Sequence, residues 1–177
     1  MMELKFYKVH SNVDLPKMQT KQSACFDLMY CNAGKSEYKG YSSSNKEFTR
    51  TFTNATIYIG PHERVLVPTG LILDIPEGYS VRVHPRSGLS LKSGIILANS
   101  EGVIDADYVE ELYLLIHNTS EVGIKFTNGD RLAQGELVKV EEYDIVETKT
   151  KPKIKTDRKG GLGSTGVQKE LDKEPKK

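Results

Sequence analysis

The chain has 177 residues, 37% of them apolar, with 25 Lys and Arg against 24 Asp and Glu for a formal net charge of +1. That length suits one domain with a core of its own, and the balanced charge excludes a wholesale polyelectrolyte binder such as a chromatin protein. No run approaches the roughly 18 apolar residues of a membrane span, and no apolar segment follows a basic start, so a cytoplasmic protein without a membrane partner is expected.

In chain order the sequence reads as nearly all β. Short runs rich in Val, Ile, Leu and Tyr fall at 4–8, 24–29, 55–59, 64–68, 71–74, 79–84, 95–97, 102–104, 111–117, 123–126, 131–140 and 144–147. Turn residues punctuate them at Gly60-Pro61, Pro68-Thr69-Gly70, Pro76-Glu77-Gly78 and Asn128-Gly129-Asp130. No window of 12 or more residues carries a helical stripe. Many short strands predict a sandwich, jelly roll or barrel.

Two segments differ in composition. Residues 34–54 are rich in Ser, Thr, Lys and aromatics, and read as an extended loop or exposed hairpin with Tyr38, Tyr41, Phe48 and Phe52 at its surface. The second begins at Glu147. It holds 10 Lys and Arg against 5 Asp and Glu, so the tail carries +5 and the preceding 146 residues −4. The tail also holds Gly160-Gly161-Leu162-Gly163-Ser164-Thr165-Gly166, which cannot bury an apolar face of its own and predicts a mobile arm. Cys25 and Cys31 are expected as reduced thiols. The histidines at 10, 62, 84 and 117 form no spaced ligand pair, which leaves a zinc site without support.

Four clusters carry chemistry. Pro85-Arg86-Ser87-Gly88 follows a strand and would present an Arg fork, a hydroxyl and backbone N–H groups together, a set that suits a phosphate; a surface turn with a solvated Arg is the plain alternative. Gly102-Val103-Ile104-Asp105-Ala106-Asp107-Tyr108 sets two carboxylates on one side of a strand beside an aromatic, for a base or a water-bridged metal, or else an acidic loop with a packed Tyr. Asn128-Gly129-Asp130-Arg131-Leu132-Ala133-Gln134 reads as a turn entering a strand, with Asp130, Leu132 and Gln134 on one face and Arg131 and Ala133 on the other; Gln134 is a ligand contact or a satisfied core amide. The tail glycines with Ser164, Thr165 and Arg158 would let the backbone approach an anion closely, or serve as a spacer. Together they point to a nucleotide or polyphosphate site closed by the tail.

These residues, in this order, resemble the five motifs of the trimeric dUTPase family. Ser23-Ala24-Cys25-Phe26-Asp27-Leu28 is similar to the first and Pro85-Arg86-Ser87-Gly88-Leu89 to the second. Asn99 through Gly102, Ile104, Asp105, Asp107 and Tyr108 resembles the third, Gly129 to Gln134 the fourth, and Arg158 with Gly160 to Gly166 the fifth. The resemblance implies an all-β, distorted jelly-roll β-clip subunit, with a β-barrel domain over residues 1–150, an insert at about 34–54 and a flexible arm over 151–177. It implies a homotrimer with shared active sites that converts dUTP and water to dUMP and pyrophosphate with Mg²⁺. Asp105 would activate the water that attacks the α-phosphorus. Tyr108 would lie against the deoxyribose. Asn99 and the hairpin through Gly102 and Ile104 would read uracil. Arg86, Ser87, Gly88 and Gln134 would hold the phosphates, and Asp27 would sit behind the Mg²⁺ through water. Arg158, Leu162, Gly163, Ser164 and Thr165 would close over the substrate.

The sequence departs from the pattern in five places. Cys25 and Glu110 stand where glycines are usual. Leu162 replaces the aromatic over the base, so weaker arm closure is expected. Arg158 is one residue nearer the glycines, where Lys159 could substitute for it. The insert adds about 20 residues after the first motif. Among rivals, dCTP deaminase needs a glutamate that Leu112-Tyr113-Leu114-Leu115-Ile116 lacks. A dUTPase-like regulatory protein would use the insert's aromatics for a protein partner. Nucleic-acid binding by the basic tail lacks stacking aromatics, so no nucleic-acid partner is expected.

Overall fold

The structure is a computed structural model and describes residues 2–157. Among the described residues there are twelve strands and one helix. They are β1 (Lys5–Lys8), β2 (Phe26–Met29), β3 (Glu37–Tyr41), β4 (Glu47–Thr51), β5 (Thr56–Ile59), β6 (Arg64–Asp74), β7 (Tyr79–Pro85), α1 (Ser87–Ser93), β8 (Ile95–Leu97), β9 (Gly102–Ile104), β10 (Glu111–Asn118), β11 (Ile124–Thr127) and β12 (Arg131–Lys139). The all-β, jelly-roll-like class is therefore correct, and the described residues form open sheets with no barrel. One sheet runs β4-β3-β6-β10-β8 with β1 also on β6, a second runs β2-β12-β7-β9, and β5 pairs only β11. Each sheet path has open ends.

The core lies where alternation predicts it. In β10, Leu112, Leu114 and Ile116 are buried while Leu115 between them is exposed. Val65 and Val67 of β6, Val81 and Val83 of β7, and Leu28 of β2 join the same cluster. Burying one such side chain contributes about 1.5–3 kcal/mol. The core is thus a sum of many short strands, none of which would hold its shape alone.

Four local expectations change. The turn expected at Pro68-Thr69-Gly70 is the middle of one 11-residue strand. Gly70 takes a left-handed φ of 70°, and a Cβ there would meet Val13 Cγ2 at 2.4 Å. Side chains replace the lost ladder bonds: Thr69 Oγ1 donates to Leu112 O at 2.6 Å, and Gly70 N–H donates to Glu111 Oε1 at 3.0 Å. The strand expected at 144–147 does not form, and Ile145 and Val146 lie exposed with no strand to pair. Asn118, one residue beyond the run at 111–117, joins β10 and is buried, and its amide donates to Ile59 O, Gly60 O and Val122 O. The fourth change is in the insert.

The insert forms a hairpin, β3 with β4, and Gly40 and Tyr41 of β3 pair onto Val65 and Arg64 of β6. Its aromatics are not displayed as expected. Tyr38 is 5% exposed and its hydroxyl donates to Tyr58 O. Phe48 and Phe52 pack partly buried against the core, and Tyr41 alone of the four is exposed. Arg50 locks the hairpin down through two 2.6 Å bonds to Glu63, whose own Oε2 accepts from Gly60 N–H. The aromatics face inward because the hairpin extends an existing sheet, and one face of such an extension must cover core.

The compact body spans Met1–Glu142, and Tyr143–Lys177 forms a second unit. Within that second unit, Tyr143, Ile145, Val146 and Ile154 are exposed. No helix among the described residues is long and apolar enough to cross a membrane.

Candidate active site

The outward face of the sheet β2-β12-β7-β9 gathers three of the expected motifs. β12 lies between β2 and β7, with Gln134 opposite both Asp27 and His84. A β-bulge between Arg131 and Ala133 lets Leu132 and Ala133 both turn inward, which departs from the strict alternation expected. Beyond the bulge Gln134 faces outward beside Asp27. Its amide donates to Pro85 O at 3.0 Å.

Asp27 is 7% exposed and stands between two guanidinium groups. Arg86 Nε meets Asp27 Oδ1 at 3.1 Å, and Arg131 Nη1 meets Oδ2 at 3.0 Å. Arg86 Nη1 also donates to Arg131 O at 2.8 Å. One buried carboxylate thus orients two cations, which leaves the local charge at +1. Each guanidinium keeps donors to spare, since it has five N–H groups in a planar fork.

Asp27 and Arg86 line a cleft of about 620 Å³ with Ser23, Cys25, Ser87, Gly88, Lys92 and Gln134, and Arg131 braces Asp27 from beside it. Ser87 opens α1, a helix the sequence does not signal because its seven residues show no apolar stripe. Arg86 precedes it with an extended backbone, and Ser90 Oγ bridges Arg86 O and Ile95 O at 3.2 Å each. Gly88 faces open space, since a Cβ there would meet nothing within 4 Å. Cys25 and Cys31 are free thiols. Burial first, then Glu136 and Asp27, push the Cys25 thiol above its ordinary value. The thiol in the cleft is therefore neutral at physiological pH.

The third motif lies on the same sheet but is not brought to this cleft. β9 pairs antiparallel to β7, with Gly102 on Val83 and Ile104 on Val81. Asn99 is exposed in the turn between β8 and β9. Gly102 is buried, and a Cβ on it would meet Val83 Cβ at 3.1 Å. Asp105 and Asp107 do not share a strand face, because the chain turns there and Asp105 O accepts from Tyr108 N–H at 3.1 Å. Asp105 is exposed, and Tyr108 donates its hydroxyl to Glu111 O. β9 ends at Ile104, level with Val81, so Asp105 leaves the sheet near the start of β7 while Arg86 follows its end, roughly 20 Å of extended strand away at ~3.4 Å per residue. The fifth-motif residues Arg158, Leu162, Gly163, Ser164 and Thr165 lie outside the described residues.

Buried Asp27 with its two half-exposed arginines, a Gln and a Ser thus gather at or beside one cleft, with the Asp105 turn elsewhere on the sheet. The sequence profile of one family, dUTPase, matches residues 52–166. The chain belongs to the dUTPase family.

Among relatives, the deoxyuridine 5'-triphosphate nucleotidohydrolase of Finegoldia magna is 40% identical over 131 residues, 73% of this chain and 90% of that one. The protein of the same name from Helicobacter pylori is 32% identical over 168 residues, 95% of this chain and 99% of that one. Among solved structures, the dUTPase of Staphylococcus bacteriophage 80alpha with dUpNHpp gives a TM-score of 0.73 at 20% identity, over 94% of this chain and 100% of that one. The dUTPase of Streptococcus mutans gives 0.62 at 22%, over 81% and 99%. At these identities the two structures speak for the fold.

For a dUTPase-family chain, one residue beside the cleft escaped the sequence reading. Arg131 lies inside the fourth motif, yet only the folded pairing of β12 with β2 shows that it holds Asp27. Replacing Asp27 with Ala is expected to lower stability by about 2–3 kcal/mol, less than the roughly 3–5 kcal/mol for a fully buried ion pair because both arginines reach solvent. Urea unfolding checks this; a midpoint equal to that of the unmodified chain would remove Asp27 as the organiser of the cleft.

Proposed function

We propose that this chain hydrolyses dUTP to dUMP and pyrophosphate, at sites shared between the subunits of a homotrimer. The observation that carries the reading is the cleft where Asp27 holds Arg86 beside Ser87 and Gln134, with Arg131 on the other oxygen of the carboxylate. A triphosphate needs several donors fixed in direction, and guanidinium forks held by a buried carboxylate are ordered before substrate arrives.

The roles follow from what each group can do. Arg86, Ser87 and the Gly88 backbone would bind phosphate oxygens, with Gln134 alongside. Asp105 would take the proton from the attacking water, which calls for a carboxylate with free oxygens; among the described residues its side chain has no hydrogen-bond or ion-pair partner. Tyr108 would exclude a 2′-hydroxyl. Asn99 and the backbone from Gly102 to Ile104 would pair with the uracil edge, where a thymine methyl finds no space. Arg158, Leu162, Gly163, Ser164 and Thr165 would complete the site from the arm, closing over the γ-phosphate and excluding water.

The trimer is supported by the distance between Asp105 and Arg86. About 20 Å within one chain is too far for both to touch one triphosphate, and a second copy can supply the missing half. The uncovered Tyr143, Ile145, Val146 and Ile154 suit an arm that finds its cover on another chain.

Mg²⁺ fits the donor set as a substrate-borne ion. Among the described residues no group of three or more His, Cys, Asp or Glu side chains is assembled for a metal. Asp27 is the carboxylate of the cleft, and its oxygens already meet guanidinium groups, so it would face the ion through water. Mg²⁺ retains most of its waters and binds phosphate oxygens, where it would neutralise charge.

Pyrophosphate release from dUTP, dTTP and UTP, with native mass on the same sample, tests the reading. Release from dUTP alone by a trimer is expected. Equal release from all three, or activity from a monomer, would overturn it.

A further inference from the structure

Next to the cleft, on the same outward face, three charged side chains and an imidazole converge that the proposed mechanism does not use. His84 lies in β7, flanked by β12 and β9. Its Nε2 meets Glu136 Oε1 on β12 at 3.1 Å. Its Nδ1 meets Glu101 Oε1 at 3.6 Å, and Arg82 Nη1 meets the other oxygen of Glu101 at 3.4 Å. Two carboxylates on two different elements thus share one imidazole.

The two ends of this tie matter. Glu101 closes the turn between β8 and β9 that exposes Asn99, and its N–H donates to Asn99 O at 2.7 Å. Ser100 between them has a left-handed φ of 62°, so the turn has little slack. Glu136 sits two residues from Gln134, which is itself opposite His84 and bonded to Pro85 O. We infer that His84 is a positioning residue, which holds the Asn99–Glu101 turn at a set distance from the strand that carries Gln134. The inference rests on the proposed hydrolysis of dUTP and deepens the same site. It makes His84 a determinant of base selection without contact to the base.

Surface stability is a poor explanation for the cluster. His84, Glu136 and Glu101 are 27%, 37% and 45% exposed at their side chains, and ion pairs at such exposure contribute little to folding. What a half-exposed pair can do is select one orientation of a turn that is already nearly closed.

The test uses the full chain with H84A, H84Q, E101Q and E136Q, and measures kcat and KM for dUTP and dTTP. H84A is expected to raise KM for dUTP about tenfold, the size of one lost charge-assisted hydrogen bond, with kcat within about twofold. The preference for dUTP over dTTP is expected to narrow, E101Q to reproduce H84A, and H84Q to restore part of the loss through its amide. Amide exchange of the Ser100–Glu101 turn is expected to quicken in H84A at an unchanged unfolding midpoint. Unchanged KM, preference and exchange would overturn the inference, and so would a lowered midpoint with no change in preference. If the unmodified chain failed to release pyrophosphate from dUTP, the functional reading would fall, and the exchange experiment would still decide whether His84 holds the turn.

Discussion

Asp105→Asn is expected to lower the turnover of dUTP by about 100- to 10,000-fold, the span that general base catalysis contributes, while the chain still folds, assembles and binds. The reason lies in the surroundings of the carboxylate. Asp105 is exposed, its backbone oxygen closes the turn to Tyr108, and its side chain has no hydrogen-bond or ion-pair partner among the described residues. Exposed substitutions that break no contact stay within about 0.5 kcal/mol. Asn has nearly the same shape and keeps an acceptor, so binding should survive while proton acceptance is lost. Steady-state pyrophosphate release, with dUTP affinity measured separately, checks both halves. Turnover near the unmodified rate would remove Asp105 from the mechanism.

Mixing D105N chains with R86A chains, each almost inactive alone, is expected to recover activity. If Asp105 and Arg86 of one site come from different subunits, then random equal mixing leaves about a quarter of sites with both groups intact. If both came from one subunit, no mixed site would be whole and the mixture would stay silent. The separation of about 20 Å along β7 favours recovery, since no side chain spans it. The chains should be unfolded together and refolded before assay, so that slow subunit exchange cannot hide the result. Persistent silence after confirmed mixing would refute the shared site.

Much of this chain was legible before folding. All twelve strands among the described residues fall on runs that alternation and turn residues mark, with β6 joining two of them, or on the insert read as a loop or hairpin. The motifs were legible because residue type carries their chemistry: Arg86, Ser87 and Gln134 offer donors, Asp105 a base. The failures share a cause. Pro68-Thr69-Gly70 looked like a turn because local propensity ignores Leu112 O and Glu111, which accept from Thr69 Oγ1 and Gly70 N–H across from β10. The insert's aromatics looked exposed because their burial depends on β6, which pairs with β3. Helix α1 is too short for its period to register.

The sequence by itself determined the all-β class, the family resemblance and the split between an acidic body and a basic tail, since these rest on residue identity, order and short-range period. It could not place Arg131 and Arg86 on the two oxygens of Asp27, or set Glu101 and Glu136 on the two nitrogens of His84. Those contacts join residues from 17 to 104 positions apart, and the register between strands creates them. Nor could it reveal that Arg86 and Asp105 stand at opposite ends of one strand pair. The initial +1 is therefore a poor guide to the site. Tertiary structure decides where charge is concentrated, because a Coulomb interaction depends on distance in space and on burial, and neither is a property of sequence order.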